Sequence, residues 1–502
     1  MRRVDSDIVQ TIVQTASGAL SGVIEGGVAR FLGIPYAESP ARSGWLSPPV
    51  PAPPWEGVRP ALEHGATVPK NPYPIPSREL LAEPDAPGDD CLVLNVWTPG
   101  TDGAAPVFVW IHGGAFRNGS GSVPQYDGSA FARDGVVCVT MNYRLGLFGF
   151  LDTGDGETNV GLRDQICALR WVRENIAAFG GDPERVTIGG ESAGGMSVTS
   201  LLASPLAEGM FRGVIAQSGA GQFALSERTA RAVSSWLADE LGVDGTREAF
   251  AALPVAELLA AQEKLGLAVQ TDPDPEKWGE IVADTMPFEP RLGDDVVPRT
   301  PIESVRAGAG SGVRVLVGHN ADEMLFFLAI PGIVAGVDAA GFEAAAAMIA
   351  RYGFVDPLAA VQAYRDDRHP TAGLAAAALI GDWFFGIPAV RLAEAAPDTS
   401  YVYRFDWASP VRGGILGSCH ALEIGFAFDT LGTEGLEALA GPNPPQSVAD
   451  EMHAAWVRFI VDGDPGWAPY TPDARTVRVF DLESRTETDP HPERRALWDG
   501  LR

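Results

Sequence analysis

Glycines crowd the central serine of VTIGGESAGGMSV, residues 186–198. Within it, Gly190-Glu191-Ser192-Ala193-Gly194 has the form G-x-S-x-G, between a β-branched run and the start of a helical pattern. Such a turn lifts a serine hydroxyl clear of the end of a sheet. Glycines two places before and after it remove side chains that would collide with neighbouring backbone. The helix that follows aims its first, unbonded N–H groups at the same point. A phosphate-cradling loop would need Lys-Ser or Lys-Thr after its second glycine, and Gly195 and Met196 stand there instead. The chemistry this spacing offers is nucleophilic attack by Ser192, although the pentapeptide alone would also suit an idle turn.

A second stretch shifts the balance. WIHGGAF (110–116) follows an apolar strand-like run and resembles the loop that supplies oxyanion donors in α/β-hydrolase esterases. Gly114 and Ala115 would offer backbone N–H groups there, with Ala193 as the third donor. Each such donor is worth about 3–4 kcal/mol to a tetrahedral oxyanion.

A serine nucleophile needs a base, and the chain has seven histidines. His64 lies in an N-terminal loop, His369 beside a proline and His491 in a charged tail, so all three read as solvated. His112 precedes the candidate oxyanion glycines and reads as structural, and His453 falls on a helix face. His319 and His420 remain. The chain order expected for this arrangement is Ser, then Asp or Glu, then His, which His420 satisfies and which ranks His319 below it. Asp322 and Glu323 follow a strand-like run, and spacing does not choose between them.

These residues need a scaffold. VFVWI (107–111) and VVCVTMN (136–142) are continuously apolar, as buried parallel strands are. Leu162, Ile166, Leu169, Val172, Ile176 and Phe179 recur at steps of three or four, which predicts a helix stopped by Gly180-Gly181. Further strands are expected at 185–190, 213–219, 313–320, 401–407 and 477–481. The alternation predicts an α/β fold with a doubly wound, mostly parallel sheet. Two helix-rich, alanine-rich stretches, 225–305 and 330–395, interrupt it and read as insertions over the functional edge of the sheet, with plain helical filler as the other reading. PPVPAPP (48–54) reads as a surface loop, because proline cannot serve a central strand.

Composition narrows the function classes. The chain has 502 residues, 46% of them hydrophobic, and a net charge of −28. So acidic a surface repels phosphate backbones, which argues against nucleic-acid binding. Four cysteines, Cys91, Cys138, Cys167 and Cys419, form no metal-spaced cluster. The first residues show no apolar export segment, and no apolar run of membrane-spanning length is evident. A reducing cytoplasm is the expected setting.

The ordered motifs together resemble the type-B carboxylesterases, the family that includes cholinesterases and bacterial esterases acting on p-nitrobenzyl esters. The resemblance runs through FLGIPYAE (31–38), DDCLVLNVWTP (89–99), HGGAF, NYRLGLFGFL (142–151), the stretch 159–195, AQSGA, NADE and CHALEIGFAF. It implies an α/β-hydrolase fold with Ser192, Glu323 and His420 as triad. It also implies that Ser218 packs behind the triad, that Arg144 and Asp164 form an ion pair beneath it, and that Phe326 and Phe327 line the gorge, an ordinary core role being the alternative for those two rings.

Three departures stand out. No cysteine precedes Cys91 to form the disulfide of secreted relatives. SPARSGWL (39–46) replaces a family segment that holds local ion pairs. Residues 71–88 contain Tyr73 but no tryptophan, which argues against choline specificity. The expected activity is hydrolysis of small carboxylic esters through an acyl-serine, with no metal or organic cofactor. A non-catalytic adhesion protein on the same scaffold and an amidase or peptidase are the alternatives.

Overall fold

The computed structural model describes residues 9–75, 77–329, 334 and 352–501. The N-terminal segment in which no export signal was expected therefore lies partly outside the described residues, as does much of 330–351 within the second expected insertion.

A thirteen-stranded mixed sheet runs through the described residues. Its centre is parallel. Ala105–Ile111 lies beside Val137–Met141 on one side and Gly181–Glu191 on the other, followed by Gly213–Gln217, Arg314–Asn320, Ser400–Phe405 and Thr476–Phe480. Both flanks are antiparallel: Val9–Gln14, Ala19–Glu25, Val28–Pro35 and Val93–Thr98 at one side, Arg485–Thr488 at the other. The strands expected from sequence are present, within a few residues of their predicted ends. The N-terminal antiparallel strands were not anticipated, since their apolar residues are broken by Gly22, Gly26, Gly27 and Gly33.

Side-chain alternation along the central strands divides the core between the two sheet faces. Val107, Val109 and Ile111 join one apolar cluster, while Phe108 and Trp110 join the other. The predicted helix spans Val160–Asn175 and tightens into a 3₁₀ turn over Ile176–Phe179, where Gly180 ends it with φ 74°. PPVPAPP is irregular and largely solvent-facing.

The stretch 225–305 is helical, led by Glu227–Leu241 and Val255–Thr271. The described part of the second stretch includes a continuous helical run of 24 residues, Ala372–Ala395, with an 18-residue window of mean hydropathy 1.6. By length and composition it is apolar enough to cross a bilayer, which the sequence reading had not recognised because Asp382 and Pro388 interrupt it. The protein itself buries 67% of the qualifying window, so the run is accounted for as a core helix.

Candidate active site

Parallel register brings the chemistry to one edge. Ile111 pairs with Gly190, Glu191 with Gln217, Gln217 with Gly318, and Asn320 with Phe405. The segments that leave these strands therefore emerge together at their carboxyl ends, where ligands bind in open α/β sheets. They are the HGGAF loop, the Ser192 turn, Ser218 and the Asp322-Glu323 pair.

Ser192 sits on a sharp bend at φ 57°, ψ −125°, and helix Ala193–Ala203 starts at the next residue. Its N–H donates to Gln217 O at 2.9 Å, which fixes the bend against the neighbouring strand. The motif glycines are required by contact: a Cβ on Gly190 would lie 2.5 Å from Gly194 carbonyl carbon, and one on Gly194 would strike Ile111 O. Ala115 and Phe116 hold φ of 52° and 56°, so the HGGAF loop stores local strain. Among the described residues, the N–H groups of Gly114, Ala115 and Ala193 donate to no protein acceptor, as donors awaiting a ligand would.

His420 Nδ1 lies 2.7 Å from Glu323 Oε2, and Asn320 N–H donates to the other carboxylate oxygen at 2.8 Å. Its Nε2 faces Glu191 Oε1 at 3.0 Å. That contact lies within ion-pair distance but lacks hydrogen-bond alignment, and Glu191 Oε1 has no hydrogen-bond partner. Ser192 Oγ makes no hydrogen bond to His420 among the described residues, a looseness common at nucleophile–base pairs without substrate. Burial would lower the His420 pKa, but Glu191, Glu323 and Glu423 outweigh it and raise the pKa to about 9. For Glu191, burial, opposed by His420 and reinforced by Glu423 and Glu323, raises the carboxyl to about 8. Glu423 is itself raised by burial and by Glu323, while Asn320 and Gln217 donate to it at 2.6 and 3.1 Å.

Asp322, the other carboxylate of the pair, is fully engaged elsewhere. Its backbone N–H donates to Ser418 O at 2.9 Å, and its carboxylate accepts from Ser418 N–H at 2.8 Å. Arg368 Nε donates to it at 2.9 Å, and His369 Nε2 lies 3.1 Å away. The solvated reading of His369 was wrong: it is buried, with its other nitrogen 3.0 Å from Asp366. His64 is exposed, as read from sequence, with Nδ1 3.2 Å from Asn95 Oδ1. His491 is exposed. His112 stacks on Tyr143 with centroids 4.6 Å apart, and burial lowers its pKa to about 4. His453 lies on helix Gln446–Asp462, and His319 lines a separate cleft of about 130 Å³.

Ser192, His420, Gly114, Ala115, Phe326 and Phe327 line one cavity of about 370 Å³, to which both helical stretches contribute, through Met286 and Phe384 among others. Phe326 is buried and Phe327 is 40% exposed. Phe385, which no sequence signal singled out, stacks on His420 with centroids 4.7 Å apart from a π-helical turn, Asp382–Gly386. Ser218 (φ 44°) donates its N–H to Gly318 O at 2.9 Å, and its Oγ is buried without a partner. Arg144 and Asp164 form a buried bidentate pair at 2.9 and 2.7 Å. The remaining guanidinium nitrogen donates to the carbonyls of Gly44, Trp45 and Ser47, so the altered 39–46 segment is held through its backbone. All four cysteines are buried and free.

The fold and this serine-bearing edge are those of an α/β-hydrolase. Residues 9–498 match the model of the carboxylesterase family, and the chain belongs to that family. It is 36% identical to the para-nitrobenzyl esterase of Bacillus subtilis (strain 168), over 96% of this chain and 97% of the relative. It is 36% identical to the phenmedipham hydrolase of Pseudarthrobacter oxydans, over 91% of each. A crystal structure of a Geobacillus stearothermophilus carboxylesterase superposes with a TM-score of 0.83 at 37% identity, covering 97% of this chain and all of the other. The protein is a carboxylic-ester hydrolase.

Proposed function

We propose that ester cleavage runs through an acyl-Ser192 intermediate. As Ser192 Oγ bonds to the ester carbonyl carbon, its proton passes to His420 Nε2, whose contact with Glu191 gives way to one with Oγ. The carbonyl electron pair moves onto oxygen and is held by the N–H groups of Gly114, Ala115 and Ala193. Collapse breaks the C–O bond to the alcohol, which leaves with the proton from His420. Water then repeats the sequence and frees the acid. Glu323 fixes the imidazole tautomer throughout. The observation that carries this reading is the 2.7 Å bond from His420 Nδ1 to Glu323, formed in the cavity that Ser192 enters.

The substrates are small carboxylic esters that fit a largely apolar cavity, as the names of the esterase relatives suggest. The setting is a reducing cytoplasm, supported by four free, buried thiols. Ser192→Ala is expected to abolish both p-nitrophenyl ester hydrolysis and labelling by a fluorophosphonate. Labelling that persists at another serine would overturn the assignment.

A further inference from the structure

Among the described residues, one cation lines the cavity above Ser192 without an anionic partner. Arg117 lines it, two residues past Ala115, and its N–H donates to Gly114 O at 3.0 Å. The residue is half-buried. Its guanidinium reaches helix Val255–Thr271, where a Cβ on Gly266 would lie 3.8 Å from Nη1. Among the described residues, the Arg117 side chain forms no ion pair and donates no hydrogen bond. Of the nearby carboxylates, Glu83 is taken up by Tyr73 N–H and Asn118 Nδ2, both at 2.8 Å, and Glu191, which lines the same cavity as Asp284 does, faces His420 at 3.0 Å.

Acidic residues outnumber basic ones 65 to 37. In the separate cleft behind His319, Arg368, Arg404, Arg475, Arg494 and Arg495 each hold a carboxylate. A half-buried guanidinium without an anion carries a desolvation cost that a ligand can relieve. Its planar fork of donors matches a carboxylate in particular.

We propose that Arg117 selects esters bearing a carboxylate remote from the bond being cleaved. This rests on the esterase reading and narrows its substrate class. The carboxylate can belong to the acyl part, as in a half-ester of a dicarboxylic acid, or to the alcohol part, and one experiment separates the two. In the acyl arm, mono-p-nitrophenyl glutarate is compared with p-nitrophenyl valerate. In the alcohol arm, the acetate of 4-(hydroxymethyl)benzoate is compared with 4-methylbenzyl acetate.

The readout is the ratio of kcat/KM for the anionic ester to that for the neutral one. In at least one arm, Arg117→Gln lowers this ratio by about tenfold, and Arg117→Lys, which keeps the charge, lowers it less. A fall of less than about fivefold in both arms overturns the proposal, as does a lysine variant that falls as far as the glutamine one. Fluorophosphonate labelling is followed in parallel. Labelling at Ser192 with an unmoved ratio overturns the Arg117 assignment alone, whereas absence of labelling in the unsubstituted protein overturns the serine mechanism beneath it.

Discussion

His420 Nε2 lies 3.0 Å from a carboxylate oxygen of Glu191, the residue immediately before Ser192. The imidazole is thus flanked by acids on both nitrogens, and its protonated form is favoured. A base works only when neutral, so kcat/KM should fall as pH drops through the His420 pKa. Because that pKa is raised to about 9, the midpoint of the acid limb is expected above the ordinary histidine value of about 6.5. Glu191→Gln removes one source of the rise and should move the midpoint down. A pH–rate profile whose midpoint stays put in that variant would show that Glu191 does not tune the base.

Glu323→Gln keeps the shape of the acid but loses the charge that holds the Nδ1 proton. In a comparable triad this change costs about 10⁴-fold in kcat, and a loss of that order is expected here with KM little changed. Steady-state kinetics on a p-nitrophenyl ester test it. A kcat within about tenfold of the parent would remove Glu323 from the proposed role.

Asp322→Asn should act on stability instead. Burial alone would raise the Asp322 carboxyl, but His369, Arg368 and Ser418 N–H hold it well below the usual carboxylate range. A depressed folded pKa gives stability that is present above the unfolded value of about 3.9 and is lost as pH falls below it. Arg368 is 36% exposed and can rehydrate once its partner is neutral, so the expected cost near neutral pH is about 2–4 kcal/mol. Urea unfolding of parent and variant should differ at pH 7 and converge toward pH 2. A difference independent of pH would count against the ionic account.

Arg144→Met strands the buried Asp164 carboxylate and releases the carbonyls of residues 44, 45 and 47. Breaking a buried pair costs about 3–5 kcal/mol, and Arg144→Lys should recover little, because lysine cannot donate as a planar fork. Thermal unfolding that is unchanged in either variant would contradict this.

Much of the site was legible because its determinants are local. Gly190 is demanded by backbone contact with Gly194 within the same turn, although Gly194 is demanded by Ile111 O on the neighbouring strand, and the strands flanking Ser192 are apolar on both faces. The ranking of His420 over His319 came from chain order, and the structure places only His420 in the cavity with Ser192. What sequence concealed depends on partners far along the chain. His369 looked solvated beside a proline, yet its neighbours include Asp322, 47 residues away. Phe385 sits in an alanine-rich helical run whose pattern marks no functional face, and only the π-helical turn aims it at His420. Glu191 was read as the variable position of a motif, since nothing in its spacing shows that it faces an imidazole.

The clasp between Asp322 and Ser418 divides the proposed machinery into two mechanical pieces. The acid and the base ride together, because their loops are pinned to each other by reciprocal hydrogen bonds between Asp322, one residue before Glu323, and Ser418, two before His420. The nucleophile rides on a different piece, anchored through its own N–H to Gln217. Thermal loosening should therefore widen the gap between the pieces before it disturbs either one. Turnover would then fail by misalignment while the sheet is still intact, and the working temperature limit of the enzyme would lie below its melting point.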